Sequence, residues 1–242
     1  NSDWNGSATI TAKVNDGTAD SAEQTFTLTV NAFVSGGTFK GKVYETVTSP
    51  DTGRVWLDRN LGADQKCTSM TDPDCYGYHY QWGRDDDGHE LTSSTVIATL
   101  ATVITPAINS FITNNTAPKD WTSADTVGSL REAAWENAGV NDICPAGYSV
   151  PTFAQIEADT TDAIETAITN SATAFSSFLK LPVGGFVSGV SGGILHAGIQ
   201  GSIHSRTYID NNSSFFWFDP GSMGADSTFR NNGISVRCIK DL

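Results

Sequence analysis

Apolar and polar positions alternate in two runs near the start of the chain, ATITAKVNDG from position 8 and QTFTLTVNAF from position 24. Both are rich in β-branched and aromatic residues, so they predict a hairpin. Two strands cannot enclose an immunoglobulin-like sandwich, which takes about seven strands over ~100 residues. VSGGTFKG (34–41) breaks the alternation with paired glycines and reads as a linker. Beyond it, KVYETVTSPDTGRVWLDRNLG (42–62) predicts two strands joined at a turn in which Asp51 and Gly53 hold turn positions. Residues 94–113 carry Val, Ile and Leu without glycine and fit either helix or strand. SLREAAWENA (129–138) predicts a helix that Gly139 ends. Thr152 then caps a helix reaching about Asp159, and a further helical stretch covers 162–169. From Leu181 onward glycines and β-formers dominate, so the expected class is α+β with segregated helices and strands.

Within that last third, SSFFWFDPGS (213–222) sets four aromatic residues in a row. In a strand, Phe215 and Trp217 share one face, and Phe216 and Phe218 share the other.

At 242 residues the chain can bury one large core or two modest ones without a metal or disulfide. Its 27 acidic and 14 basic residues give a net charge of −13, which repels phosphate backbones and anionic membranes. Nucleic acid is therefore not an expected partner. No apolar run approaches the ~20 residues needed to span a bilayer, so direct membrane insertion is not expected either. The first residues carry no signal-peptide pattern and read as the middle of a longer protein. Four cysteines, with no C-x-x-C pair and none beside a histidine, favour two disulfides over zinc, and so an extracellular setting. Cys67 and Cys75 flank a short loop, and their spacing predicts a local staple.

RDDDGHE (84–90) is the one acidic cluster that invites a cation, because hard Ca²⁺ takes several oxygens around a tight turn. It lacks the D-x-D-x-D-G spacing of a calcium loop, so solvated acids or an Arg84 ion pair are expected and no cofactor is required. If Ca²⁺ binds, Asp85, Asp87 and Glu90 are the first candidates. His79, His89, His196 and His204 show no metal or nucleophile-base spacing, and no G-x-S-x-G or phosphate loop is present. No catalytic residues are expected. Trp56 and Trp82 read as core, and sequons begin at Asn5, Asn114, Asn211 and Asn212.

Four islands stand in one order: TGRVWLDRNLGA (52–63), YGYHYQWGRDDDGHE (76–90), ICPAGYSVPT (143–152) and GISVRCIKD (233–241), with LKLPVGGF at 179–186. Together they resemble the major paralogous domain first noted in Fibrobacter succinogenes, a C-type-lectin-like domain with few helices, short strands and long loops. The resemblance covers 42–242, places the linker at 34–41, and implies that Cys144 and Cys238 form a long-range disulfide. Residues 1–33 resemble the C-terminal strands of a cadherin-like or immunoglobulin-like repeat, whose remaining strands would precede this sequence. The usual calcium-dependent sugar signatures are absent. A lectin-like fold therefore does not by itself specify carbohydrate. The formylglycine-generating enzyme shares the broad fold, but its reactive cysteines have no counterpart here, because Cys144 and Cys238 match structural positions.

GSIHSRTYIDNNSSFFWFDPGSMGADSTFRNNGISVRC (201–238) further resembles the variable region of the lectin-fold target proteins of diversity-generating retroelements. There, adenines mutate during reverse transcription. An AAC codon then reaches Asn, Asp, Ser, Tyr, His, Phe, Ile, Thr and Arg, but not Trp, Met, Lys, Gln or Glu. The resemblance implies a noncatalytic, protein-binding surface protein, displayed on a cell or virion as part of a longer chain and meeting a protein or surface ligand. The expected contacts are Ser202, His204, Arg206, Tyr208, Asp210, Asn212, Phe216, Asp219, Asp226, Phe229 and Asn231, with aromatic anchors among adaptable polar groups. Trp217 lies outside the reachable set, so it is expected in the fixed interior beside Phe215, with Phe216 and Phe218 facing outward. The alternative is a surface adhesin or carbohydrate-binding module with an invariant site.

Overall fold

A computed structural model describes residues 6–15, 17–30, 33–164 and 167–241. The chain is 10% helical and 30% strand, almost all of it in small antiparallel sheets. This corrects the α+β expectation to a β-rich architecture. Only three α-helices form among the described residues, Ser129–Ala134, Phe153–Asp159 and Ser171–Ser176. Each is too short to stand without tertiary support.

Two expected helices are cut down for visible reasons. The first stops after Ala134, because Trp135 leaves helical geometry (φ −95°, ψ 7°) while its indole Nε1 donates to Arg84 O at 3.0 Å. The Asp142 carboxylate then takes the Ala138 N–H at 2.7 Å and turns the chain, so Gly139 does not cap this helix. The stretch expected at 162–169 is not helical in its described part, and residues 165 and 166 lie outside the described residues. The helix comes later, at Ser171, where the Asn170 side chain accepts from Thr173 N and closes a capping box. The Thr152 cap stands as expected, reinforced by Gln155. Residues 94–113 contribute only Val96–Ile97 and Phe111–Ile112, paired in parallel.

Gly6–Ala12 and Gln24–Val30 form the expected hairpin, with Ile10 opposite Phe26. Of the expected repeat end, residues 1–5, 16, 31 and 32 lie outside the described residues. Thr46–Thr48 and Val55–Leu57 pair across the predicted turn and extend, through Ile239–Lys240, to Tyr148–Ser149. The end of the described chain is thus locked between two early segments. A second sheet runs in the order Ile194–Leu195, Phe186–Val187, Gly233–Ile234, Tyr80–Gln81.

Both disulfides form: Cys67–Cys75 staples a short loop, and Cys144–Cys238 closes a separation of 94 residues. They fit an oxidising, extracellular compartment. No helix among the described residues is long and apolar enough to cross a membrane. The long-range disulfide lies in a core with Tyr44, Tyr80, Trp82, Trp135 and Val236. A second core gathers Trp56, Ile156, Leu179, Leu181 and Ile203. Against this second core, through Ile203, Phe216 and Phe218, packs a three-stranded sheet, Gly201–Ile209, Asn212–Phe218 and Met223–Phe229.

Candidate functional site

The register of this C-terminal sheet settles the aromatic run. Ile203 lies opposite Phe216, which lies opposite Ala225; one step along, His204, Phe215 and Asp226 are aligned, then Ser202, Trp217 and Gly224. Phe216 and Phe218 are fully buried in the second core, with ring centroids 5.7 Å apart. Phe215 and Trp217 are only partly covered and belong to none of the core clusters. The expectation is therefore reversed: Phe216 and Phe218 point inward, Phe215 and Trp217 outward.

Two glycines show why the pattern goes this way. A Cβ on Gly201 would meet the Phe218 ring at 2.2 Å, so the inward ring needs a bare neighbour. A Cβ on Gly224 would stand 2.6 Å from Trp217 Nε1, so the indole lies across the outer strand where no side chain lifts it off. Hydrogen bonding gives the same answer. Trp56, Trp82, Trp121 and Trp135 are buried, and each donates its Nε1 proton to a protein oxygen at 2.8–3.0 Å. Trp217 is the one tryptophan among the described residues whose Nε1 donates to no protein atom. A buried indole without a partner would leave a donor unsatisfied, whereas on the outer face the proton is open to solvent or a ligand.

The expected contacts divide among several locations. Ser202, His204, Phe216 and Asn231 are buried, which removes them from an exposed surface. His204 Nε2 lies 3.0 Å from Tyr80 O and its ring is 5.5 Å from Trp135, while Asn231 Nδ2 donates to Asn114 O and Gly189 O. Arg206 sits where the sheet register slips between His204 and Tyr208, and pairs with Glu136. Asn212 and Phe229 face one another at the far end of the sheet, where Phe229 is exposed and Lys119 Nζ lies 4.5 Å from its ring centre. Asp219 turns its carboxylate back onto Gly221 N and Ser222 N, and these bonds hold it below the usual carboxylate range. Tyr208, Asp210 and Asp226 remain at the outer face or its turn.

What the sequence reading missed on that face is Phe215, Trp217 and a hollow of about 670 Å³ at its turn end, lined by Thr126, Val127, Tyr208, Asp210 and Asn211. Buried Arg230 ties the backbone of its lining together. Arg230 donates through Nη2 to Val127 O (2.6 Å) and Asp210 O (2.7 Å), and through Nη1 to Thr126 O (3.0 Å). Arg131, also buried, holds Asp120 with two bonds of 2.6 and 2.7 Å, and both guanidiniums lie 5.0 Å from the Trp82 ring centre. These arginines join the turn of the C-terminal sheet to the 120–131 loop.

No family model, curated protein or solved structure matches the chain.

The 84–90 cluster is a structural network. Arg84 Nε and Nη2 donate to Asp87 Oδ2 at 3.0 and 2.9 Å, and Nη1 donates to Gln81 Oε1 at 2.7 Å. His89 Nε2 accepts from Gln81 N at 3.0 Å, which leaves the ring proton on Nδ1, 2.8 Å from Asp87 Oδ1. Asp87, His89 and Glu90 do place one possible ligand atom each within 4.8 Å of one another, and Asp85 is outside that group. The donor set does not fit a cation. Both Asp87 oxygens and both His89 nitrogens are already engaged, and a hard cation such as Ca²⁺ prefers oxygen to imidazole. Asp87 shows the same balance: burial alone would raise it, and the His89 bond and Arg84 charge outweigh that and hold it low.

Proposed function

We propose that this is a noncatalytic ligand-binding protein, one of the variable target proteins of a diversity-generating retroelement, which presents the outer face of its C-terminal sheet to a protein ligand at a cell or virion surface. One observation carries the binding reading. Among the described residues, Phe215 and Trp217 lie outside every core cluster, and the Trp217 indole proton has no partner. Aromatic side chains beside small polar ones are the composition of adaptable binding surfaces. The retroelement reading adds that Phe215, Asp226, Tyr208 and Asp210 are reachable from an adenine-mutated AAC codon while Trp217 is not. Trp217 then serves as a fixed anchor within a changing surface.

The test is the source locus. We expect a near-copy of the last coding segment beside a reverse-transcriptase gene, and population sequencing that finds substitutions at codons 208, 210, 215 and 226 with codon 217 constant. A locus without the near-copy, or mismatches that are not confined to adenines, overturns the retroelement reading.

A further inference from the structure

The charge on the outer face narrows the ligand. From 207 to 229 the chain carries Asp210, Asp219 and Asp226 and no Lys or Arg. None of the three carboxylates stands within ion-pair distance of a cation of the described residues. The flanking cations are already engaged, Arg206 with Glu136 and Lys119 over Phe229. Phe215 and Trp217 likewise take part in no ring pair or cation–π contact among the described residues.

Asp226 is the direct cross-strand neighbour of Phe215. Their Cβ atoms are then about 5 Å apart, with Trp217 roughly 7 Å further along the strand. Partly exposed rings beside a carboxylate with no ion-pair partner among the described residues attract a cation twice, through the ring quadrupole and through charge. The interior of this protein uses the same chemistry, where Arg131 stacks on Trp82 and Trp121 and pairs with Asp120. On the surface the aromatic and acidic halves are present without the cationic one.

We propose that the outer face recognises a lysine- or arginine-bearing protein segment, whose cationic group lies over Phe215 and Trp217 and pairs with Asp226. The proposal rests on the reading that this face binds a ligand at all, and the net charge of −13 favours approach of such a partner. A neutral glycan stacked on Trp217 is the competing occupant, since stacking needs no charge.

The experiment compares three probes against the intact protein: a deca-arginine peptide, a deca-glutamate peptide and a panel of neutral oligosaccharides. Trp217→Ala and Asp226→Asn are measured beside an Asp20→Asn/Glu23→Gln control, which neutralises acids on the distant hairpin. All variants are checked for an unchanged thermal midpoint. We expect deca-arginine to bind, each site variant to weaken it roughly two- to fivefold, and the control to leave it nearly unchanged. Equal loss in the control means diffuse attraction to an acidic protein, and overturns the proposal. An oligosaccharide or deca-glutamate whose binding needs Trp217 overturns the cationic partner but keeps the binding face. If no probe depends on either site residue, both the cationic partner and the binding face fall.

Discussion

Acid should unfold this protein through three histidines. His79, His89 and His204 are buried, and burial pushes them down to about 4, about 4 and about 3 respectively. The surroundings of His79 and His204 offer little to an imidazolium, and at His89 burial outweighs the nearby Asp87 carboxylate. His204 sits between the Tyr80 carbonyl and the Trp135 ring, and His89 is held as the Nδ1 tautomer by Gln81 N and Asp87. The carbonyls of Gly184 and Gly185 lie near His79 without giving either ring nitrogen a well-formed hydrogen bond. In the unfolded chain each titrates near 6.5, so the unfolded state binds more protons between about pH 6.5 and 4. Stability is therefore fully present above pH 6.5 and is lost as pH falls through that window. At pH 5 each histidine costs about 2 kcal/mol, and the three together about 6 kcal/mol, comparable with a whole domain's stability of ~5–15 kcal/mol. Asp85, which burial and its neighbour Asp86 raise, works in the opposite direction and returns part of this loss. Urea midpoints followed by near-UV circular dichroism from pH 8 to pH 4 should be level to about pH 7. Stability should then fall at two to three protons' worth, ~3–4 kcal/mol per pH unit, the lower figure where Asp85 also titrates. His204→Gln should remove about a third of that slope. A level profile to pH 4.5, or an unchanged slope in the variant, would refute the burial account.

Two further outcomes test the fold and the faces of the C-terminal sheet. Phe216→Ala should cost about 3–5 kcal/mol by chemical denaturation, because it empties a site in a filled core, whereas Trp217→Ala should cost under about 1 kcal/mol; equal costs would contradict the assignment of inner and outer faces. Removing Cys144–Cys238 by paired Cys→Ala changes should destabilise by roughly 4.7 kcal/mol in the chain-entropy model and removing Cys67–Cys75 by roughly 2.5 kcal/mol, an order that thermal scans of the two double variants can check.

Local signals carried best from sequence to structure. The turn at 50–53 and the Thr152 cap are built by neighbours within a few positions, so adjacent residues suffice to predict them. The short disulfide was read from spacing, and the long one came from motif resemblance. The fold class failed where tertiary contacts override periodicity. SLREAAWENA has a helical pattern, but the Trp135 indole bond to Arg84 O and the Asp142 bond to Ala138 N end the helix early. The aromatic faces failed for a different reason. The retroelement resemblance implies a constant Trp217, but a constant residue need not be a buried one. Gly201 and Gly224 hold the correct answer, yet they inform only once the strand register sets each beside its ring.

The buried charges hold the fold through contacts that do not involve the outer side chains of the C-terminal sheet. Arg84, Arg131, Arg230 and Arg237 are all buried, and their partners are mostly backbone carbonyls and fixed acids. Breaking a buried pair on one side costs about 3–5 kcal/mol, so these groups cannot vary freely. Arg230 matters most to the site, because it bonds Asp210 through its carbonyl and not its side chain. Any residue that tolerates the turn at 210 preserves that bond. Asp226, Phe215 and the side chain of Asp210 make no ion pair to the interior of the described protein. Position and identity are thus separated: carbonyls and inward rings fix where the outer strands lie, and the side chains of Asp210, Phe215 and Asp226 take no part in the buried ion pairs.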